Sequence, residues 1–257
     1  MKAIGIVGFK KSGKTTLVTA IARELSNKHY RVAVIKHSNE PLNHGKTDTG
    51  KFMLEVPEVA LITPTHTEII WKESRDLKQV LPLLSADFLI VEGFKSLKYF
   101  PKVLCLRDDS EKDLLADGLK LFTCGMDASW KERKVIDYLI GEEKDIKEMA
   151  MIIEQKSFLL PDANCGKCGY ENCYNLAQAI IEGKESVQKC SYNQEHISVK
   201  VNGKKVELNQ FMEKLYQSIL VGMLAPLKDI DSLDGAEIEI KSKLTDSDKE
   251  RGRKSEG

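Results

Sequence analysis

The sequence predicts an α/β protein with a mostly parallel sheet covered by helices on both faces, followed by two small C-terminal pieces. Three observations lead to this prediction. Short apolar segments of strand length alternate with amphipathic segments of helical periodicity over residues 1–156. A glycine-bounded loop joins the first strand segment to the first helix segment, and four of the six cysteines crowd into residues 165–190. We therefore divide the chain into residues 1–156, a cysteine-rich segment at 157–195, a small domain at 196–240 and a charged, disordered tail at 241–257.

The loop at residues 8–16 reads GFKKSGKTT and matches the pattern G-x-x-x-x-G-K-[ST]. An apolar strand segment precedes it and an amphipathic helix segment follows it, which is the context of a phosphate-binding P-loop. Its backbone amides and the positive end of the helix dipole would hold phosphate oxygens. Lys14 would reach the β- and γ-phosphates as a catalytic group, and the Thr15 hydroxyl would ligate Mg²⁺. The candidate nucleotide-binding residues are Gly8, Lys11, Ser12, Gly13, Lys14, Thr15 and Thr16.

Further strand and helix segments follow in alternation. Strands are predicted at residues 31–37, 87–93, 102–106 and 119–123, with a hairpin at 59–63 and 68–71. Helices are predicted at residues 77–84, 111–115, 130–139 and 146–156. Two cysteines in apolar strand-like segments, Cys105 and Cys124, are expected to be core residues. Ligands of such a sheet gather at the carboxyl ends of its strands, so functional side chains are expected there.

Two carboxylates are candidates for the metal-binding part of the site. Glu92 follows four apolar residues at the carboxyl end of its predicted strand, where a P-loop enzyme places a group that orders Mg²⁺ or the attacking water. Glu92 is therefore the second candidate catalytic residue beside Lys14. Asp48, in the polar loop after the second strand, is a candidate ligand of Mg²⁺ or of a ribose hydroxyl. Asp87 stands at the opposite end of the strand and is expected to be structural.

Composition and short sequence patterns exclude several classes of function. The chain has 39 basic and 39 acidic residues and a formal net charge of zero, so we expect no nucleic-acid partner. The longest apolar run, near residues 219–227, is too short to span a membrane. The first strand segment follows directly on Met1-Lys2 without a signal-peptide pattern, and we expect a cytoplasmic protein. No Asn-Lys-x-Asp motif is present to read guanine, which leaves the base open.

Residues 8–16, 34–37 (VIKH), 48–51 (DTGK), 91–95 (VEGFK) and 101–103 (PKV) together resemble the MobB family. Members of this family are GTP-binding proteins of molybdopterin-guanine dinucleotide biosynthesis. The resemblance implies GTP binding, slow Mg²⁺-dependent hydrolysis and a homodimer. It also implies work beside the molybdenum cofactor guanylyltransferase and the molybdenum or tungsten enzymes that receive the cofactor.

Cys165, Cys168, Cys173 and Cys190 form a second strong pattern. Four thiolates can hold a zinc ion or a [4Fe–4S] cluster. Zinc ribbons usually pair two C-x-x-C knuckles and only one is present, so three close cysteines with a distant fourth favour the cluster; zinc and free thiols remain alternatives. An apolar helix is predicted just after Cys173, with Gly183 as its stop. The opening C-G-x-C-G-Y-x-x-C resembles the small [4Fe–4S] domain that the corrinoid iron–sulfur protein shares with the B component of the Rnf electron-transport complex.

The remaining residues predict a small packing domain. Alternation of apolar and polar residues on both sides of Asn202-Gly203 predicts a hairpin. Asn209 is expected to cap a helix that Pro226 ends, and residues 236–240 to add a strand. The linker at residues 157–164 is short, and we expect the cysteine-rich segment to fold separately while staying beside the last helix of the nucleotide domain.

These patterns favour an accessory GTP-binding protein of molybdenum or tungsten cofactor maturation with an attached iron–sulfur domain. Two alternatives stay open. The first is an NTP-dependent metal or cluster insertion factor, and the second is a nucleotide switch with a redox-sensitive docking module. GTP selectivity favours the leading hypothesis and ATP selectivity favours the first alternative. A nucleotide affinity that changes with the oxidation state of the cluster favours the second.

Overall fold

The computed structural model describes residues 1–38, 47–194, 199–201, 204–206 and 210–224. The chain divides into two compact units, Met1–Gln194 and Glu195–Gly257. In the described part of the chain, no helix is long and apolar enough to cross a membrane.

The first unit alternates strands and helices along the chain. Its strands are β1 (Lys2–Gly8), β2 (Val32–Lys36), β3 (Glu58–Ile62), β4 (Thr67–Trp71), β5 (Phe88–Glu92), β6 (Lys102–Leu106), β7 (Lys120–Gly125) and β8 (Tyr138–Leu139). Its α-helices are α1 (Lys14–Asn27), α2 (Asp48–Glu55), α3 (Leu77–Val80), α4 (Glu111–Leu115), α5 (Ala128–Glu132), α6 (Glu143–Lys156) and α7 (Cys173–Ile181). Short 3₁₀ turns cover Leu81–Leu83, Val187–Lys189 and Ser191–Gln194.

Six strands form one parallel sheet in the order β2-β5-β1-β6-β7-β8. This confirms the predicted α/β class with a parallel sheet. Ile6 of β1 is paired with Glu92 of β5, and Gly8 of β1 is paired with Cys105 of β6. Because β1 lies between β5 and β6, its carboxyl end is a topological switch point, the usual ligand position in an open parallel sheet. β3 and β4 form a separate antiparallel hairpin, as predicted.

One face of the sheet is covered by α1 and α6. Alternate strand residues such as Ile4 and Ile90 point to this face. Leu17 and Leu25 of α1 and Ile153 of α6 pack against them and are fully buried. Each such aliphatic side chain contributes about 1.5–3 kcal/mol by leaving water. The helical periodicity of both segments therefore matches the face that they bury.

The cysteine-rich segment covers the part of the opposite face formed by β1 and β5, and Leu115 of α4 covers the part formed by β6. Leu89 of β5 points to this face, and Phe158 and Leu176 pack in the same core. A parallel sheet presents apolar side chains on both faces, so both faces need cover. The sequence predicts a boundary after residue 156, between the alternating strands and helices and the cysteine-rich segment. In the structure, the residues on both sides of this boundary belong to one compact unit, Met1–Gln194. This shared core does not agree with the expectation that the cysteine-rich segment folds separately.

The helix predicted at residues 130–139 is wrong in part. α5 has only five residues, Lys134 adopts a left-handed φ of 59°, and β8 follows beside β7. Asp137 accounts for the difference, because its Oδ2 accepts hydrogen bonds from the backbone amide and the hydroxyl of Thr123 at 2.8 and 2.9 Å. Contact with the sheet therefore overrides the local helical periodicity.

The second unit contains an antiparallel hairpin of β9 (Val199–Val201) and β10 (Lys204–Val206), and the helix α8 (Gln210–Leu224). These elements agree with the predicted hairpin and helix. Several predictions lie outside the described residues: the Asn202-Gly203 turn, the Asn209 cap, the stop at Pro226, the strand at 236–240 and the tail at 241–257.

Leu176→Ala tests the cover of the second face. Leu176 is fully buried in the core that it shares with the sheet, so its truncation should lower the free energy of unfolding of the whole first unit by about 2–5 kcal/mol. Leu114→Ala is the matched control because Leu114 is 73% exposed. Denaturant unfolding followed by circular dichroism, on protein of equal iron content, measures both variants. A separate early transition that leaves the main transition unchanged would contradict the shared core.

Candidate functional site

The loop between β1 and α1 is shaped by two glycines. A Cβ on Gly8 would lie 2.4 Å from both the carbonyl oxygen of Cys105 and Ser12 Oγ, so only glycine fits. Gly13 has a φ of 83° and Lys11 a φ of 67°, and the chain thus passes through two left-handed residues before α1 begins. The loop therefore folds tightly over the carboxyl end of β1.

The N-terminus of α1 is open to an anion. Gly13 provides no side-chain cap and no acidic residue stands in the first turn, so the first helix amides lack an internal acceptor. Lys14 Nζ lies over the loop and donates to the carbonyl oxygen of Phe9 at 2.6 Å. Ser12 Oγ is buried and has no hydrogen-bond partner among the described residues. A phosphate group is a ligand that would satisfy these donors.

The structure brings Thr15 and Glu92 together. Thr15 Oγ1 donates a hydrogen bond of 3.0 Å to Glu92 Oε1, and Lys36 Nζ lies 3.5 Å from the same oxygen. Glu92 is only 6% exposed. A hydroxyl beside a buried carboxylate offers the oxygen ligands that Mg²⁺ prefers. Asp87, at the opposite end of β5, binds Arg31, whose hydrogen bonds hold the pKa of the Asp87 carboxyl below its usual value.

Asp48 lies apart from this pair. It begins α2, its side chain is 79% exposed, and its carboxylate binds Lys51 at 2.8 Å. Among the described residues, none of the contacts of Asp48 involves Thr15 or Glu92. The favourable interaction of a carboxylate with a helix N-terminus accounts for an aspartate at this position without a ligand.

Lys11 and Thr16, two further residues predicted to bind phosphate, lie at the surface. Lys11 is exposed at the turn of the loop. Thr15 and Thr16 line a cleft of about 380 Å³ that runs along α1 past Ala20 to Arg23. The Thr15 hydroxyl therefore faces open space as well as Glu92.

Two cations that sequence reasoning missed flank Phe9. Lys95 Nζ lies 3.6 Å from the centroid of the Phe9 ring, and Arg107 Cζ lies 5.6 Å from it. Arg107 is paired with Glu111. Burial, followed by repulsion from Lys14, lowers the pKa of Lys95. The one signal in the sequence was the position of Lys95, just after the strand that ends in the predicted metal ligand.

The cysteine-rich segment wraps around the N-terminus of α7. Cys173 begins this helix and is buried, Cys190 is also buried, Cys168 is half-buried and Cys165 is exposed. The Asn164 side-chain oxygen accepts a hydrogen bond of 2.9 Å from the backbone amide of Cys173. Burial raises the pKa of the Cys173 thiol, and hydrogen bonds from nearby backbone amides act in the opposite direction. The amides thus stabilise the thiolate form that metals bind.

The donor set is compatible with an iron–sulfur cluster. The segment supplies four free thiols, Cys165, Cys168, Cys173 and Cys190. Four thiolates are the protein ligands of a cubane iron–sulfur cluster. The positive end of the α7 dipole also lies at Cys173, where it would favour an anionic group.

A chain of hydrogen bonds joins α7 to the residues beside the phosphate loop. Tyr174 Oη donates to the carbonyl oxygen of Asp117 at 2.7 Å. The Asp117 carboxylate pairs with Lys102, whose side chain is almost fully buried. Lys102 Nζ in turn donates to the carbonyl oxygen of Lys95 at 2.7 Å. Burial lowers the pKa of Lys102, and Asp117 opposes this change by stabilising the ammonium.

Cys105 and Cys124 are core residues, as predicted. They are fully buried on neighbouring strands, with their sulfur atoms 3.5 Å apart. Burial raises the pKa of the Cys124 thiol well above its ordinary value. A buried thiol of this kind is chemically inert.

Two family models match the chain. The MobB model, described as "Molybdopterin guanine dinucleotide synthesis protein B", matches residues 3–123. The model described as "Putative Fe-S cluster" matches residues 160–192. The two models match the P-loop region and the four-cysteine region respectively.

Three similar proteins are informative. The "Putative molybdopterin-guanine dinucleotide biosynthesis adapter protein" of Methanocaldococcus jannaschii is 29% identical over 249 residues, which cover 93% of this chain and 97% of that protein. The "Probable molybdopterin-guanine dinucleotide biosynthesis adapter protein" of Bacillus subtilis is 30% identical over 121 residues, 44% of this chain and 69% of that protein. The B component of the ion-translocating oxidoreductase complex of Buchnera aphidicola is 31% identical over 77 residues, 29% of this chain and 46% of that protein.

Proposed function

The chain belongs to the MobB family, and from that premise we propose that it is a GTP-binding adapter of molybdopterin-guanine dinucleotide biosynthesis or delivery with slow Mg²⁺-dependent GTP hydrolysis. The observation that carries the proposal is the contact between Thr15 and Glu92 beside the uncapped N-terminus of α1. An anion-binding helix end, a lysine ammonium and a pair of oxygen ligands meet in one place. The preference for guanine rests on the family.

Each side chain has a separate role in the proposed reaction. Lys14 turns from the carbonyl oxygen of Phe9 to the β- and γ-phosphates. Thr15 and Glu92 would hold Mg²⁺, which would supply positive charge to the phosphate oxygens. Glu92 also orients the attacking water, and the contact with Lys36 Nζ at 3.5 Å holds its carboxylate in place. The proposed partners are the molybdenum cofactor guanylyltransferase and the molybdenum or tungsten enzymes that receive the cofactor.

We further propose that Cys165, Cys168, Cys173 and Cys190 hold a [4Fe–4S] cluster. The match of this segment to the iron–sulfur family model and the burial of two of its thiols support the assignment. A cluster at the N-terminus of α7 would lie against the second face of the sheet that carries the nucleotide site.

A homodimer formed through the β3–β4 hairpin is part of the proposal. The hairpin and α2 carry exposed apolar side chains, with Ile62 78% exposed; the others are Phe52, Leu54, Val56, Leu61 and Ile69. In the described part of the chain, each strand of this hairpin pairs only with the other. An isolated two-stranded hairpin has only marginal stability in water. Its unpaired strand edges associate readily with another strand. Pairing of the same strand from two copies would produce a closed, two-fold interface.

A nucleotide switch with a redox-sensitive cluster module is the second candidate function. The observation that favours it is the chain of hydrogen bonds from Tyr174 through Asp117 and Lys102 to Lys95. Spatial continuity alone does not establish coupling between two sites, so the cluster and the nucleotide must be measured together. ATP selectivity in place of GTP selectivity would instead favour an NTP-dependent metal or cluster insertion factor.

Substitutions of Lys14 and Glu92 separate binding from hydrolysis. Lys14→Ala should abolish tight GTP binding with the fold intact, because Lys14 faces the ligand and not the core. Glu92→Gln should still bind GTP, while Mg²⁺-dependent hydrolysis falls about 100-fold because the charged ligand is lost. Calorimetric titration with GTP and ATP and a phosphate-release assay provide the two readouts. Hydrolysis by Glu92→Gln at the parent rate would show that another carboxylate, with Asp48 the first candidate, performs the role.

Cys190→Ser tests the cluster and the switch. Anaerobically purified parent protein should contain about four irons and four sulfides per chain, and Cys190→Ser should lose most of them because one iron loses its thiolate. Zinc in place of iron would contradict the cluster.

GTP affinity is then compared between the parent and Cys190→Ser. A tenfold loss, about 1.4 kcal/mol of coupling, supports the switch, and an unchanged affinity supports the adapter without redox control.

Ile62→Glu tests the homodimer. A charge at the exposed apolar edge should weaken the association, because it would be desolvated in the interface. Leu114→Glu is the control, since Leu114 is equally exposed on α4, away from the hairpin. Light scattering after size-exclusion chromatography gives the mass of each. A parent that is monomeric at micromolar concentration, or an Ile62→Glu variant that remains dimeric, would rule out this interface.

A further inference from the structure

We propose that Lys95 is a second phosphate-binding lysine, which contacts the terminal phosphate of a bound nucleoside triphosphate. The inference rests on the nucleotide binding proposed above and adds a residue that lies outside the P-loop. Lys95 follows Glu92 by three residues, and its ammonium lies over Phe9, the residue that also accepts the hydrogen bond from Lys14.

The backbone before Lys95 directs the chain back to the loop. β5 ends at Glu92, and the next two residues, Gly93 and Phe94, have left-handed φ values of 92° and 51°. A phenylalanine in this conformation is strained, and such strain concentrates at functional sites. The Phe94 ring packs against His37 with 4.5 Å between centroids, which supports the turn. The contact with His37 therefore helps to hold the turn at Gly93 and Phe94 in place.

A buried ion pair fixes the backbone after the turn. Lys102 Nζ donates to the carbonyl oxygen of Lys95 at 2.7 Å, and its charge is balanced by Asp117. An unpaired ammonium would be costly in this buried position, so the pair holds Lys102 where it can make the bond. Lys102 and Asp117 are thus positioning residues. The main chain of Lys95 is anchored on both sides, while its side chain remains exposed.

The Lys95 ammonium stands in an excess of positive charge. Within the described residues, no carboxylate pairs with it, and its defined contact is the Phe9 ring at 3.6 Å. The Glu111 carboxylate, which attracts Lys95, receives hydrogen bonds of 2.8 and 2.6 Å from Arg107. Partial burial of its stem, followed by repulsion from Lys14 and Arg107, lowers the pKa of Lys95. A polyanion removes this repulsion, and a charge-assisted hydrogen bond to phosphate is stronger than an exposed cation–π contact.

The terminal phosphate is the group that the geometry favours. Lys14 reaches the β- and γ-phosphates in P-loop proteins. Both lysines contact Phe9, Lys14 at its carbonyl oxygen and Lys95 at its ring, so they lie on the same side of the loop. Lys95 also belongs to the same segment as Glu92, the residue assigned to the attacking water. A contact with the γ-phosphate would stabilise charge that develops there during hydrolysis.

Affinities for GTP, GDP and GMP test the proposal on the full-length, cluster-loaded protein. Lys95→Gln should lower GTP affinity on the order of tenfold, GDP affinity less, and GMP affinity not at all, because the lost contact is with the terminal phosphate. Lys98→Gln is the matched control. Lys98 lies on the same segment, but its ammonium is 4.8 Å from the Tyr174 ring of α7, and its loss should leave all three affinities unchanged. Lys95→Arg should restore part of the GTP affinity.

The outcomes separate this inference from the function on which it rests. A parent protein that binds no GTP overturns the proposed function itself. If the parent binds GTP and Lys95→Gln binds it equally well, only the role of Lys95 is overturned. Equal losses for GTP, GDP and GMP also overturn it, because they indicate a distorted loop instead of a lost phosphate contact. A loss graded with phosphate number, together with an unaffected Lys98→Gln, supports it.

Discussion

The rest of the structure depends on one constraint, that both faces of a single parallel sheet must be covered. α1 and α6 cover one face, and residues of the cysteine-rich segment cover the other together with α4. Because the P-loop extends from β1 of this sheet and α7 packs on its second face, the nucleotide site and the four-cysteine segment are built on the same sheet. A parallel sheet left open on one face would expose a continuous apolar surface. The iron–sulfur segment is therefore part of the fold that presents the nucleotide site.

Buried charged groups at the strand ends occur as compensated pairs, one at the carboxyl end of β5 and one at the amino end of β6. Glu92 is almost buried, and it is balanced by the Thr15 hydroxyl and by Lys36. Lys102 is more deeply buried, and it is balanced by Asp117. Since an unpaired buried ion costs several kcal/mol, each pair holds its members in fixed positions. One pair thereby fixes the proposed metal ligands, and the other connects α7 to the backbone of Lys95.

This arrangement suits an adapter that must respond to a nucleotide and present a surface to other proteins. The nucleotide site lies at the switch point of the sheet, while exposed apolar side chains gather on α2 and the β3–β4 hairpin. The two regions are distinct in sequence and in chemistry. Family membership accounts for the P-loop half of the molecule. The shared core adds a physical reason for the cysteine-rich half to accompany it on one chain.

The sequence by itself determined the features that depend on local order. A strand, a glycine-bounded loop and a helix make a P-loop from consecutive residues 8–16, and the cysteine spacing is equally local; the parallel sheet followed from the alternation of periodicities. Tertiary structure alone decided three other features. The hydrogen bond from Thr123 to Asp137 holds the following residues beside β7 as β8, where the sequence predicted a helix. The cysteine-rich segment packs on the second face of the sheet, against β1 and β5. Lys95 came to lie over Phe9 because of a left-handed turn and a buried ion pair. Each of these depends on contacts between residues distant in sequence, and no local pattern of residues encodes such contacts.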